Sequence, residues 1–88
     1  MRRPELEYLL TFSSFYKAMY ARDKLMEQGI HSKQQRVPTQ LLRTCGQALL
    51  VTGYDLQRII AVLSENQIST RGIFQAVTSN GTKEYQHI

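Results

Sequence analysis

The sequence VPTQLLRTCGQALLV, residues 37–51, contains the change from an irregular segment to a buried strand on which the fold prediction depends. Pro38 fixes its own φ and favours extended geometry at the residue before it, so a strand is predicted to end there. Gly46 lacks a Cβ and allows another backbone or a small reactant to approach the neighbouring Cys45. The apolar run 47–51 is typical of a buried strand. Cys45 is therefore predicted to lie at the start of a core strand, with a loop before it.

The chain before this segment is predicted to form a strand, a helix and an edge strand. Aromatic and apolar residues over 7–13 predict a first strand with both faces at least partly covered. A helix follows, which Ser13 or Ser14 caps and Gly29 ends. Its apolar residues recur at helical spacing on one face, which is predicted to be buried, and they are Phe15, Ala18, Met19, Leu25 and Met26. The polar segment 31–37 is predicted to be an edge strand.

The chain after this segment is predicted to form a second helix, a fourth strand and a tail. Thr52 and Asp55 have the spacing of a capping box, so the helix is predicted to start there and to end at Asn66 or just after it. A fourth strand is predicted over 68–77. Residues 78–88 are polar and rich in small side chains, and they are predicted to be a flexible tail.

This order of elements predicts an α+β fold of the ferredoxin-like β-α-β-β-α-β class, with a four-stranded antiparallel sheet covered on one face by two helices. Eighty-eight residues allow one core, and the single domain is predicted to span 1–77. The first and third strands are expected to be central and parallel to each other. The start of the third strand would then lie beside the start of the first.

An electropositive edge follows from that expectation. The arginines placed there together with Cys45 are Arg2, Arg3, Arg36 and Arg43. Both helix N-termini are expected at the opposite edge, so the arginines, and not a helix dipole, would favour the Cys45 thiolate.

The composition is that of an ordinary globular domain. Hydrophobic residues make up 42% of the chain and charged residues 20%, and no stretch approaches the roughly 18 apolar residues of a membrane span. The basic N-terminal segment lacks the apolar core of a signal peptide. We therefore expect a cytoplasmic protein that does not bind membranes.

Several kinds of chemistry are poorly supported by the sequence. One cysteine excludes an intramolecular disulfide, and one cysteine with two distant histidines, His31 and His87, makes a poor zinc set. No nucleophile with a neighbouring base, phosphate-binding glycine loop or carboxylate pair is identifiable. We expect no metal, no other cofactor and no enzymatic activity, but a carrier or binding module. The net charge of +4 is spread along the chain, which favours anionic partners only weakly.

Short motifs distributed along the chain carry a resemblance to a known family. They are YLLTFSS at 8–14, Ala18, Ala21, Gly29-Ile30, Val37-Pro38, TCGQAL at 44–49 and RGIF at 71–74. Over about residues 6–76 they resemble a family of short bacterial proteins of unknown function, DUF3343, described as "putative selenium/sulfur carrier-like". Its members usually show two serines before the cysteine, whereas this chain has Arg43 and Thr44, which keep one hydroxyl and add a cation beside the thiol.

The resemblance implies that Cys45 carries sulfur or selenium as a persulfide or selenopersulfide, with Arg43, Thr44 and Gly46 as supporting residues. Such a carrier receives its cargo from a cysteine desulfurase-like enzyme and passes it to an acceptor protein. A thiolate with this task must be exposed and partly ionised. The alternative is a structural cysteine that packs as a small hydrophobe at the edge of the core.

Two functions of other classes stay open. A regulatory or adaptor domain would pair through the sheet face that the helices leave uncovered, with Leu9, Leu49 and Ile73 as candidate lining residues, and such a homodimer is compatible with a carrier role. RNA binding is the less favoured reading, because no basic-aromatic signature is present. The strand aromatics are accordingly predicted to be core residues, and they are Tyr8, Phe12 and Phe74.

Overall fold

The computed structural model describes residues 7–37, 46–53 and 55–88. These residues form, in chain order, β1 (Glu7–Phe12), α1 (Phe15–Glu27), β2 (Lys33–Arg36), β3 (Gln47–Thr52), α2 (Leu56–Glu65), β4 (Gly72–Ser79) and β5 (Thr82–His87). The strands pair antiparallel in the order β2-β3-β1-β4-β5. Over the described ranges the fold is therefore α+β, with two helices and a five-stranded antiparallel sheet, where four strands were predicted.

β1 lies at the centre of the sheet because both of its faces are buried. Tyr8, Leu10 and Phe12 belong to the core cluster that includes residues of both helices. Successive side chains of a strand point to opposite faces, so Leu9 and Thr11 face away from the helices, and both are buried there as well. The prediction of a first strand covered on both faces is confirmed.

β1 and β3 are antiparallel, so the prediction that the first and third strands are parallel is wrong. Phe12 at the end of β1 pairs with Gln47 at the start of β3, and Glu7 pairs with Thr52. The physical reason is the connectivity: β3 runs antiparallel to its neighbour β2, and the helical crossover makes β2 parallel to β1. The start of β3 therefore lies beside the end of β1, where α1 begins.

α1 begins at one of the two predicted caps. Ser14 has extended backbone angles, and its Oγ accepts a hydrogen bond from the backbone N–H of Lys17 at 3.2 Å. This bond satisfies one of the N–H groups that have no partner in the first turn of a helix. The helix then buries Ala18, Ala21 and Leu25, of which the two alanines allow a close approach to the sheet.

α2 begins later than predicted. Its N-cap is Asp55, whose side chain makes no capping hydrogen bond, rather than Thr52. Thr52 is the last residue of β3, where it pairs with Glu7, and Gly53 at φ +87° follows. Strand pairing therefore takes precedence over the capping-box pattern. Among the described residues, no helix is long and apolar enough to span a membrane.

Both helices end in the same backbone motif with different residues at its left-handed position. After α1, Gly29 has φ +78° and the N–H of Ile30 donates to the carbonyl five residues earlier at 2.9 Å. After α2, Gln67 has φ +55° and the N–H of Ile68 makes the equivalent bond at 2.8 Å. Glycine adopts this conformation without strain, whereas for another residue the left-handed conformation costs roughly 1–2 kcal/mol.

Replacing Gln67 with glycine should therefore raise the free energy of unfolding by about 0.5–1 kcal/mol, after the entropy of a more flexible unfolded chain is subtracted. Gly29→Ala is the matched control and should lower the free energy of unfolding. An added Cβ at Gly29 meets no atom within 4 Å, so only the conformational energy of the backbone changes. Urea denaturation measures both variants. A Gln67→Gly protein no more stable than the original, beside a destabilised Gly29→Ala protein, would contradict the expectation.

Residues 78–88 form the end of β4 and all of β5, which corrects the prediction of a flexible polar tail. β5 pairs with β4 from Phe74 opposite His87 to Ser79 opposite Thr82. Asn80 at φ +51° and Gly81 at φ +78° form the two-residue turn, and Asn-Gly is the preferred pair for such a hairpin. The scarcity of apolar residues in this segment conceals the strand, although the Asn80-Gly81 signal is present in the sequence.

β5 is held to the sheet by side chains as well as by its backbone. Lys83 Nζ donates a hydrogen bond to Glu7 Oε1 at 2.6 Å, which links β5 to β1 across β4. This bond with the Glu7 carboxylate raises the pKa of Lys83 above its usual value. The His87 ring meets the Phe74 ring edge-on, with centroids 4.9 Å apart. The C-terminal segment thus completes the sheet.

Candidate functional site

The predicted site residues divide between described and undescribed parts of the chain. Gly46 and Arg36 lie within the described residues. Those outside them are Arg2, Arg3, Arg43, Thr44 and Cys45. Because Gly46 follows Cys45 directly, the surroundings of Gly46 are the part of the candidate site that the structure shows.

We call the end of the sheet at which β1, β2 and β5 finish and β3 and β4 begin the Gly46 end. Gln47 is paired there with Phe12 on one side and with Arg36 on the other. α1 begins at this end, since only Ser13 and Ser14 separate it from β1. The expectation that the helix N-termini lie at the opposite end from the start of the third strand is therefore wrong for α1.

Gly46 is packed closely against its neighbours. The N–H of Val37 donates a hydrogen bond to the Gly46 carbonyl at 3.3 Å. A Cβ on Gly46 would lie 3.3 Å from Val37 Cγ2 and 3.4 Å from the Phe12 carbonyl oxygen. Any other residue at this position would have to displace the Val37 side chain by a few tenths of an ångström. Close packing therefore favours glycine at the position next to Cys45.

A depression of about 170 Å³ adjoins Gly46 and is open to solvent. Its lining consists of Ser13, Ser14, Phe15, Gly46 and Gln47. The first turn of α1 contains no acidic residue, and the N–H groups of a first turn carry partial positive charge. An anion in this depression would be stabilised by the start of α1.

The charges at the Gly46 end are mostly positive. Arg36 ends β2, Lys17 lies in the first turn of α1, and Arg71 is placed there because its N–H donates to the Thr11 carbonyl at 2.8 Å. All three residues are exposed. Among the described residues, the acid at this end is Glu65, at the end of α2. This electropositive character comes partly from residues that the sequence analysis did not select, since Lys17 and Arg71 were not predicted there.

Two aromatic side chains at the start of α1 are exposed. Phe15 is 53% and Tyr16 75% accessible to solvent, and their rings meet edge-on with centroids 5.8 Å apart. Helical spacing had placed Phe15 on the buried face. That assignment is wrong because α1 begins just past the last residue of β1, so Phe15 lies beyond the strand that packs against the following turns. Met26, predicted on the same face, is exposed as well.

The residues that line the sheet face opposite the helices are not the set that the adaptor hypothesis predicted. Leu49 and Ile73 pack with the helix-side core instead of lining the uncovered face, whereas Leu9 is fully buried outside that cluster. The core assignment of Tyr8 and Phe12 is confirmed. The third predicted core aromatic, Phe74, is only half-buried and lies on the helix-free face.

The two histidines lie far apart in the sheet. His31 precedes β2 and His87 ends β5, and these are the two edge strands. Within the described ranges, no three His, Cys, Asp or Glu side chains are grouped as a metal site requires.

Comparisons with known proteins show which family the chain belongs to. A search of the curated proteins finds no match. Among solved structures, one of a functionally unknown protein from Pediococcus pentosaceus ATCC 25745 is 13% identical, with a TM-score of 0.49. The alignment covers 94% of this chain and 81% of that one. The family model described as "Putative Se/S carrier protein-like" matches residues 7–75, and the chain therefore belongs to this family.

Proposed function

We propose that this protein carries sulfur or selenium on Cys45, as a persulfide or selenopersulfide, and is not itself an enzyme. The observation that carries the proposal is the family match over residues 7–75, a range that contains the chain's only cysteine. The proposed donor is a cysteine desulfurase-like enzyme, and the proposed recipient is an acceptor protein. A cytoplasmic location would suit this role, because a reducing compartment keeps a single thiol available.

The proposed transfer is a thiol–disulfide type of exchange. The Cys45 thiolate attacks the outer sulfur of a donor persulfide, R–S–SH; one S–S bond forms, another breaks, and the donor leaves as R–S⁻. Cys45 then holds –S–SH, with no net oxidation or reduction. A thiolate of the acceptor takes the outer sulfur by the same exchange, and a donor R–S–SeH would deliver selenium equally.

The surroundings of Gly46 support an anionic sulfur on the preceding residue, Cys45. The start of α1 and the Arg36 side chain lie at the same end of the sheet as Gly46, and both favour negative charge. Arg43 and Thr44 stay in the proposal as supporting residues, since they directly precede Cys45. The start of α1 adds to the predicted arginines as a reason for a thiolate, and Arg2 and Arg3, which lie outside the described residues, stay a prediction.

We further propose that α1, α2 and β1 to β4 form a ferredoxin-like unit. The strand order β2-β3-β1-β4 within the sheet supports this assignment. β5 is then an addition that extends the unit by one edge strand.

Intact-protein mass spectrometry tests the carrier proposal. We expect incubation with a cysteine desulfurase and cysteine to add one sulfur atom to the original protein, to add none to Cys45→Ser, and to be reversed by a thiol reductant. Alkylation by iodoacetamide without the enzyme reports whether the thiol is accessible. A Cys45 that accepts neither sulfur nor the alkylating reagent would show a structural cysteine, and the proposal would fail.

The second candidate is an adaptor domain or homodimer that uses the helix-free sheet face. Leu50, Phe74 and Tyr85 are all only half-buried, and their strand positions place them on this face. This function does not need Cys45, so Cys45→Ser would leave association unchanged. Association detected by sedimentation, in a protein whose Cys45 accepts no sulfur, would therefore favour the second candidate over the first.

A further inference from the structure

We propose that the start of α1 is a docking surface for an acidic partner protein, namely the enzyme that loads Cys45. The docking surface consists of Phe15, Tyr16 and Lys17, flanked by Arg36 and Arg71. The inference rests on the proposed function, because it names the kind of protein that reaches the same end of the sheet.

The exposed aromatic pair is the first observation. Phe15 and Tyr16 are in contact with each other and stay 53% and 75% exposed. Other exposed apolar side chains, such as Met26 and Ile60, lie singly on the helices, as is normal for a soluble surface. Aromatic residues and arginine are enriched at the energetic centres of protein interfaces. The pair therefore marks this end of α1 as the candidate interface.

The distribution of charge is the second observation. Lys17 lies in the first turn of α1, Arg36 and Arg71 lie at the same end of the sheet, and Glu65 is the described acid at this end. The other described acids lie further along the elements or at the other end, and they are Glu7, Asp23, Glu27, Asp55 and Glu84. A basic surface steers an acidic partner and disfavours a basic one. The partner is therefore expected to present carboxylates around an apolar centre.

The shape of the surface, which has two depressions, is the third observation. The depression beside Gly46 lies on one side of the α1 start and is lined by Phe15. A second depression of about 160 Å³ includes Lys17 and Tyr20 from α1 and Ile68 from the loop after α2. Two depressions that flank exposed aromatics allow a partner's side chains to interlock with the surface.

A protein fits this surface better than RNA does. RNA-binding sheets stack bases on aromatic residues of a flat strand face, whereas the most exposed aromatics of the described residues, Phe15, Tyr16 and Tyr20, belong to a helix. The described strand aromatics on the helix-free face are Phe74 and Tyr85; both are half-buried, and Phe74 is in edge-on contact with His87. RNA binding is therefore treated as an outcome of the test.

The test compares a protein donor with a small-molecule donor. The variants are Tyr16→Ala and Lys17→Glu. A glutamate at position 17 completes a capping box with Ser14, so unfolding would not explain a loss. The small donor is inorganic tetrasulfide: the Cys45 thiolate takes its outer sulfur, one S–S bond forms, one breaks, and trisulfide leaves. It needs no docking surface.

The matched controls are comparable substitutions at positions away from the docking surface. Met26→Ala removes an exposed apolar side chain from the same helix, about 15 Å from Tyr16 at 1.5 Å per residue. Lys33→Glu makes the same charge change at the other end of β2, on the opposite face of the sheet from Arg36. Circular dichroism verifies that all variants are folded.

We expect the rate of loading by a cysteine desulfurase to fall about tenfold in each docking variant at low salt. Loading by tetrasulfide should stay within about twofold of the original protein for Tyr16→Ala. Lys17→Glu also changes the charge at the Gly46 end, so it should lose some rate with tetrasulfide but clearly less than with the enzyme. Both controls should load normally from either donor. Added salt should slow the original protein more than Lys17→Glu, because the steering charge is screened.

Each other outcome overturns the inference in a distinguishable way. Docking variants that load normally from the enzyme show that the surface is not used, and equal losses with both donors show damage to the thiol itself. An original protein that accepts sulfur from neither donor refutes the proposed function and the inference together. A fluorescent single-stranded RNA that binds the original protein but not the variants, while enzymatic loading is unchanged, would assign the surface to RNA.

Discussion

Replacing Leu10 with alanine should lower the free energy of unfolding by about 3 kcal/mol, because the change leaves a cavity in the helix-side core. Leu10 is fully buried on the central strand, opposite Leu49 of β3 and Ile73 of β4. A domain of this length has a total stability of roughly 4–13 kcal/mol. The loss should appear in urea denaturation as a midpoint shift with an unchanged slope.

Leu9→Ala and Ile60→Ala serve as a buried and an exposed comparison for Leu10→Ala. Leu9 is as fully buried as Leu10 but faces away from the helices, and it should cost a similar amount. Ile60 is 41% exposed on α2, so its truncation should cost less than about 1 kcal/mol. If the Leu9→Ala protein is as stable as the Ile60→Ala protein, Leu9 is not packed as a core residue on the helix-free face of the sheet.

Truncation after Ser79 should lower the melting temperature by about 10 °C or more, because β5 is part of the sheet. The truncation removes the backbone pairing along β4, the Lys83–Glu7 ion pair and the contact between His87 and Phe74. A loss of about 2 kcal/mol corresponds to such a shift in a domain of this size. β4 would also become an exposed edge that promotes association, so light scattering should show concentration-dependent oligomers.

Removal of Ile88 alone is the control for this truncation. Ile88 is 54% exposed and its N–H donates to the Ile73 carbonyl at 2.9 Å, so its loss should change the melting temperature by only a few degrees. A protein truncated after Ser79 that melts unchanged and stays monomeric would instead agree with the flexible tail that its composition suggests.

Two of the missed features of the fold concern segments whose composition does not reveal their partners. β5 consists mainly of polar residues, and it becomes a strand because β4 offers an unpaired edge and Asn80-Gly81 makes the turn. Thr52 was predicted to cap α2, but its pairing with Glu7 keeps it in β3. The hairpin pairing with β4 outweighs the composition of β5, and the long-range pairing with β1 outweighs the capping pattern at Thr52.

The candidate site was only partly accessible to sequence reasoning for a similar reason. The sequence identifies Cys45 as the chain's only thiol and Gly46 as its neighbour, and the family match covers both. The direction of β3 decides what surrounds them. Because β3 is antiparallel to β1, the start of α1 lies beside Gly46, and the region around Phe15 and Lys17 becomes part of the site.

The sequence alone was sufficient for the elements that depend on local chemistry. The cap at Ser14 and the stop at Gly29 are local signals, as are the apolar alternation of β1 and the core run of β3. The tertiary structure decided the directions and neighbours of those elements, the fifth strand, and the meeting of exposed aromatics with basic residues at the Gly46 end. Those features depend on pairing and packing between elements, most of them far apart in the chain, which hydrophobic periodicity and capping signals do not encode.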